Sequence, residues 1–259
     1  LEKYVKNNCK PFDGVKPAFN VIPRSGHNLS KIVNDQMKDP QNNGAVFQLA
    51  ANDNVPYVWT GGGSHAGYMV NATELGNVIR NHDKYKFCEN LNTLFEDHAL
   101  PKSNSSRTKG CAALGTADAS PEDLNNIFIA IHSGLAVHKI TGQNVNIVFT
   151  AAYDSPKLPA DEIKMKNCLK AGYDGVLLSA IKLGISKVVL TIIGGHVFEG
   201  YPPYIIDAIE NAIREYAVKY NLNVTLYLDD SKFSWQGNTN LQKECDQRLN
   251  NLAKEINGA

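Results

Sequence analysis

Apolar runs of strand length alternate with amphipathic stretches of helix length, and this alternation predicts one α/β domain. Three runs carry the prediction: Ala45-Val-Phe-Gln-Leu-Ala50, Val145-Asn-Ile-Val-Phe-Thr150 and Val188-Val-Leu-Thr-Ile-Ile193. Runs so apolar suit strands buried on both faces, as in a mostly parallel sheet with helices on either side. The expected architecture is therefore three layers, α/β/α, around a mixed but mostly parallel sheet.

In chain order, residues 1–20 are polar and punctuated by Pro11, Gly14 and Pro17, which predicts an extended lead-in. A short strand is expected at Ala18–Pro23. Asn28 to Ser30 can cap a short helix reaching about Met37, and a loop through Asp39, Pro40 and Gly44 precedes the first buried strand. Residues 71–98 pattern as two helical pieces. Residues 99–121 read as a long irregular loop, a kind of segment that is usually functional or disordered. Ser120-Pro-Glu-Asp123 resembles a capping box, and the helix it opens carries Leu124, Ile127, Phe128, Ile131 and Leu135 before Gly142. After the strand at 145–150, a helix from Asp161 to Lys182 has Ile163, Leu169, Tyr173, Val176, Leu177 and Ile181 as its inner stripe, and Gly184 stops it. Pro202 and Pro203 open the next helix, with Ile205, Ile209, Ile213 and Tyr220 on one side and Ala208, Ala212 and Tyr216 beside them. A strand at Asn223–Leu228, a polar loop with Trp235 and a helix from Leu241 to Ile256 complete the pattern.

At 259 residues the chain has room for one large domain and a real core. Its 26 basic and 26 acidic residues balance, which argues against a nucleic-acid surface. No apolar run reaches the roughly 20 residues of a membrane-spanning helix. The five cysteines are dispersed without a CxxC pair, and the seven histidines show no metal-ligand spacing. Reduced thiols in a cytosol-like compartment, no metal, no cofactor and a monomer are expected.

Two loops carry the functional signal. Gly194-Gly-His-Val-Phe-Glu-Gly-Tyr-Pro-Pro203 joins a buried strand to a helix N-terminus, where loop amides and helix dipole both favour an anion. Ala51-Asn-Asp-Asn54 also leaves a buried strand, with Gly61-Gly-Gly63, Ser64 and His65 close behind. Ligands of open α/β sheets bind at the carboxyl ends of strands, so both loops are placed to line one crevice.

Against this background the stretch 45–228 resembles the macrodomain family. Gly194 to Pro202 is similar to its second phosphate loop, Gly-x-Gly-Ile-Phe/Tyr-Gly before a proline. Leu49-Ala-Ala-Asn52 resembles its Asn-Ala-Ala-Asn element, and Gly61-Gly-Gly63 its first glycine run. The resemblance implies a single macrodomain-like domain over residues 1–259, with an insertion at 84–121 and a helical extension at 240–257. It implies binding of ADP-ribose or of an ADP-ribosylated protein. Asn52 would lie at the distal ribose with Phe198 packed beside it, and Asn54 and Tyr201 would be further ligand-binding residues. The amides of Gly61, Gly62, Gly63, Ser64, Gly194, Gly195, His196, Val197 and Phe198 would hold the diphosphate, as backbone donors can without a cationic pocket.

The chain also departs from that family. The acidic residue that follows the glycine run in hydrolytic members is replaced around Ser64-His65, and the Gln-Glu-Glu of poly(ADP-ribose) glycohydrolases is absent, with Glu74 displaced. Arg107-Thr-Lys-Gly-Cys-Ala-Ala113 resembles a motif of divergent bacterial effector macrodomains, which implies secretion into a host cell.

Cleavage at the distal ribose passes through a cation-like sugar and uses an acid on the leaving group or a base on water. Asp53, His65 and Glu199 are the catalytic candidates, with Asp154 near a third strand end. Each has a plainer role available: an Asx turn for Asp53, a solvated imidazole for His65, a carboxylate turned away from the phosphates for Glu199, a turn cap for Asp154. No nucleophile constellation is visible. The absence of GxGxxG after an early strand argues against a Rossmann-type enzyme. Hydrolysis of mono-ADP-ribose from protein side chains is the preferred reading, and an ADP-ribose reader without turnover the alternative.

Overall fold

A computed structural model describes residues 2–23, 29–50, 130–136, 144–150, 162–193, 201–228 and 239–258. The strands are β1 (Ala18–Ile22), β2 (Val46–Ala50), β3 (Ala130–Ala136), β4 (Asn144–Thr150), β5 (Lys187–Thr191) and β6 (Asn223–Tyr227). They form one six-stranded sheet in the order β1-β6-β5-β2-β4-β3. Every neighbouring pair is parallel except β3 with β4. The helices are α1 (Glu2–Asn8), α2 (Leu29–Lys38), α3 (Glu162–Leu183), α4 (Pro202–Ala212), α5 (Val218–Tyr220) and α6 (Thr239–Asn257). A π-helical turn, Ile213–Ala217, joins α4 to α5.

The mostly parallel sheet with helices on both faces is as expected. In β5, Val188, Val189, Leu190 and Thr191 are all buried, so neither face meets water. Strand alternation sorts the layers. Gln48 and Thr150 lie toward α3, whose Gly172 packs over Thr150. Tyr227 points to the opposite face, where its hydroxyl donates to Gln36 Oε1 of α2 at 2.5 Å. The inner stripe of α3 is buried at Leu169, Tyr173, Val176, Leu177 and Ile181, and Gly184 ends the helix at φ +72°, a conformation that favours glycine. Pro202 and Pro203 occupy the first turn of α4, and its predicted apolar side is buried from Ile205 to Ala212.

The chain differs from expectation in two places. The polar N-terminal stretch contains α1, because Val5 enters the core and Glu2 pairs with Lys6 one turn on. Residues 130–136, assigned to the helix opening at Ser120, form β3 instead, antiparallel to β4 with an irregular register between His132 and Leu135. Ser133 and Gly134 sit at that irregularity, and both are poor helix formers. The two expected helical pieces at 71–98, the expected insertion at 84–121, the helix start at Ser120 and the loop with Trp235 lie outside the described residues.

The sheet edge at β1 is covered by the last helix. Asn257 uses its carboxamide as a strand surrogate: Phe19 N–H donates to Oδ1 at 3.0 Å and Nδ2 donates to Phe19 O at 3.0 Å. Arg248 ties α6 to α4 through Asp207 and Glu210, each at 2.7 Å. Asn257→Ala removes both bonds to a part-buried backbone, so it is expected to cost about 1–3 kcal/mol in urea unfolding.

One ionic chain joins α1, α3 and the π turn. Lys170 lies 2.5 Å from Asp174 and 3.8 Å from Glu215, and Lys6 lies 3.8 Å from Glu215 and 2.5 Å from Glu2. Tyr216 closes it by donating to Glu2 at 3.1 Å. Burial raises the Asp174 carboxyl from 3.8 to about 6 despite the Lys170 contact. Between these two values the folded chain holds a proton that the unfolded chain has released. Stability contributed by Asp174 therefore falls as pH rises from about 4 to about 6, by up to about 3 kcal/mol, and is level above. Asp174→Asn is expected to lose this slope. Urea midpoints of both proteins at about pH 4 and about pH 7 measure it, and the difference isolates Asp174 from the other carboxylates.

Candidate active site at the carboxyl edge of the sheet

The connections leaving β2 and β5 run in opposite directions. From β2 the chain travels toward β3 and β4, whereas from β5 it travels toward β6, although β2 and β5 are neighbours. This is a topological switch point, where open α/β sheets place their ligand crevice. The register sharpens the feature. The β2–β4 ladder holds five pairs, to Ala50↔Thr150, and the β5–β6 ladder five, to Thr191↔Tyr227. The β2–β5 ladder holds two pairs, Val46↔Val188 and Phe47↔Val189, and goes no further.

Side chains replace the missing ladder. Gln48, wholly buried, accepts from Thr191 N–H through Oε1 at 3.1 Å and donates through Nε2 to Thr150 Oγ1 at 3.2 Å. One carboxamide thus bridges β2, β4 and β5. Tyr173, reaching up from α3, donates its hydroxyl to Thr191 O at 3.1 Å and accepts from Ile193 N–H at 3.0 Å. Burial pushes its phenol well above the ordinary tyrosine range, so it stays neutral and serves as donor and acceptor at once. The hydroxyl of Thr191 has no partner among the described residues. Close approach explains Gly172: a Cβ there would stand 2.9 Å from Ile193 Cδ1 and 3.7 Å from Thr150 Cβ.

The helices α3 and α4 both begin at this edge, and their first turns meet on the rim. Tyr201 and Tyr204 stand edge to face, 4.8 Å between ring centres, and Lys166 Nζ lies 4.3 Å over the Tyr204 ring. Lys166 also pairs with Glu162 at 2.5 Å. Its hydrogen bond, followed by that of Tyr204, holds the partly exposed Glu162 carboxyl below the usual range. Tyr201 N–H donates to Met165 Sδ at 3.5 Å, which fixes the backbone where residues 194–200 rejoin described structure.

Of the predicted site residues, the structure describes Tyr201. It is half-buried and sits at the N-cap of α4, with its ring against Tyr204. Asn52, Asp53, Asn54, Gly61, Gly62, Gly63, Ser64, His65, Gly194, Gly195, His196, Val197, Phe198 and Glu199 lie outside the described residues, as does Asp154. Their flanks are described: Ala50 and Ile193, from which the two loops depart, end neighbouring segments at the switch point. Sequence reasoning missed Gln48, Thr150, Gly172 and the second role of Tyr173. A lone carboxamide inside Val46-Phe-Gln-Leu49 was the available signal for the first, since a buried Gln must find partners. Among the described residues, no group of His, Cys, Asp and Glu is placed to hold a metal ion. No described helix is long and apolar enough to cross a membrane.

No protein-family model matches the chain, and no curated protein matches it in sequence. Solved structures do match in fold. The poly(ADP-ribose) glycohydrolase of Thermomonospora curvata superposes with a TM-score of 0.55 at 13% identity, covering 96% of this chain and 82% of that one. A variant of the poly(ADP-ribose) glycohydrolase of Deinococcus radiodurans, in complex with ADP-ribose, gives 0.52 at 11% identity over 95% of this chain and 88% of that one. The apo form from the same organism gives 0.51 at 12% identity, over 93% and 85%. At such identity the likeness establishes the α/β fold and leaves the chemistry to the site's own residues.

Gln48→Leu keeps the side-chain size and strands the Thr191 N–H and the Thr150 hydroxyl without their partner. Unfolding free energy is expected to drop by about 2–4 kcal/mol, with hydrogen exchange at Thr191 accelerated relative to Val188 in the same strand.

Proposed function

We infer that this chain hydrolyses an ADP-ribosyl glycosidic bond, with the ADP-ribose diphosphate bound in the crevice between β2 and β5. The carrying observation is the switch point: the two glycine-rich segments leave adjacent strands whose ladder stops short of their carboxyl ends. The shared fold with glycohydrolases, one of them solved with ADP-ribose, supports the same reading.

In this reading the amides of Gly61 to Ser64 and of Gly194 to Phe198 hold the diphosphate, and Asn52, Asn54, Phe198 and Tyr201 border the distal ribose. Backbone donors suit a chain with no net charge, because a dianion is satisfied without gathered lysines. Water adds to the anomeric carbon as its bond to the leaving group breaks. Asp53 takes the proton from water, and Glu199 or His65 delivers one to the departing atom. No metal or cofactor is assigned to the step. Mono-ADP-ribose on a protein side chain is the substrate class, since Gly61-Gly-Gly63 is not followed by the Gln-Glu-Glu of enzymes that cut the polymer. The stretch Arg107 to Ala113 supports an effector-type role in a reducing host compartment.

Calorimetric titration with ADP-ribose, followed by incubation with arginine-, glutamate- and serine-linked ADP-ribosylated proteins, tests both halves. Binding and release of free ADP-ribose from one linkage are expected. Gly195→Glu should abolish binding, because a carboxylate would occupy the anion site. Asp53→Ala should keep binding while release falls by about a hundredfold or more. Tight binding with no release from any linkage would make the chain a reader, and no binding at all would overturn the reading.

A further inference from the structure

We propose that Tyr173 is a positioning residue for the second anion loop: its buried hydroxyl sets the direction in which the chain leaves β5. The inference rests on the ADP-ribose reading above and adds to it a residue that fixes the backbone from which the second glycine segment departs.

The geometry is local and complete on the described side. Thr191 is the last residue of β5, and two residues later Ile193 is the last before the glycine segment. A strand leaving a sheet ordinarily loses its hydrogen-bond partners at this point and is free to choose its path. Here one phenol binds the carbonyl of Thr191 at 3.1 Å and the N–H of Ile193 at 3.0 Å, closing the three residues into a fixed bend. On the other side Gln48 holds the N–H of Thr191 at 3.1 Å. The Ile193 side chain is clamped as well, 1% exposed and against Gly172, the residue preceding Tyr173 in α3. Two consecutive helix residues therefore grip the backbone and the side chain of the same exit residue.

The physical consequence concerns cost of binding. A loop that donates backbone amides to a diphosphate must hold several N–H groups convergent, and each rotatable bond left free at its root opposes that. Holding Thr191 and Ile193 removes that freedom at the root itself. Purely structural anchoring would leave any ligand's affinity unchanged once the protein is folded; positioning changes affinity selectively for ligands that use the loop.

The test measures binding of ADP-ribose and of AMP to wild type, Tyr173→Phe and Gly172→Ala by calorimetry, at a temperature where thermal melts show each fully folded. AMP lacks the second phosphate and the distal ribose and so depends less on this loop. Tyr173→Phe is expected to weaken ADP-ribose about tenfold, the equivalent of about 1.4 kcal/mol, with AMP changed less than about twofold. Gly172→Ala, which pushes on Ile193 Cδ1 from the same helix, is expected to shift ADP-ribose in the same direction, and it decides the matter if the phenylalanine variant does not fold. Wild-type binding that survives both substitutions, or an equal loss for both ligands, would overturn the role of Tyr173 and leave the functional reading standing. Failure of the wild type to bind ADP-ribose would overturn the functional reading, and the inference with it.

Discussion

The side chain of Gln48 stands where a strand pair should continue. After Phe47 and Val189 the ladder between β2 and β5 ends, and one carboxamide takes over by accepting from Thr191 and donating to Thr150. A buried unpartnered amide or N–H would cost about 1–3 kcal/mol, so the divergence of the two strands is possible only because the partners are supplied. The rest of the edge follows from this. With β2 and β5 held at a fixed separation, the connections can depart in opposite directions, and Tyr173 can enter from below to finish the end of β5.

The network around Asp174 works differently. Its members are mostly half-exposed, so each contact contributes little, and the chain of alternating charges from Glu2 to Asp174 matters through its geometry. The π turn belongs to it. Val218 N–H reaches back five residues to Ile213 O, which widens the helix where Tyr216 turns inward and meets Glu2. Asp174 is the strained member: one carboxylate oxygen meets Lys170, and the other is buried with no partner among the described residues. Burial of this carboxyl is the main cause of its raised pKa, with the nearby Glu215 and Glu2 adding to it.

The similarity to glycohydrolases at 11 to 13% identity fits a sheet whose requirements are few. Buried β-branched and large apolar residues satisfy the core, and many sequences supply them. What has to be particular is the edge, where polar groups are buried and must all be partnered. Gln48, Thr150, Gly172 and Tyr173 are such residues here.

By itself the sequence determined the layers and the ends of β2 and β5 from which the glycine-rich segments follow. Periodicity located β2, β4, β5, α3 and α4, because burial on both faces of a strand or one stripe of a helix is written in the order of apolar residues. Glycines and prolines marked where chains leave the sheet, and Pro202 and Pro203 open α4 as their fixed φ requires. Periodicity failed for α1, which is too short and polar to show a stripe, and for β3, whose strand character comes from pairing with β4. Strand order, the early end of the β2–β5 ladder and the double grip of Tyr173 were decided only by tertiary structure. They depend on which residues far apart in the chain become neighbours, and a hydrogen bond between residues 173 and 193 or between 48 and 191 leaves no periodic trace in either segment.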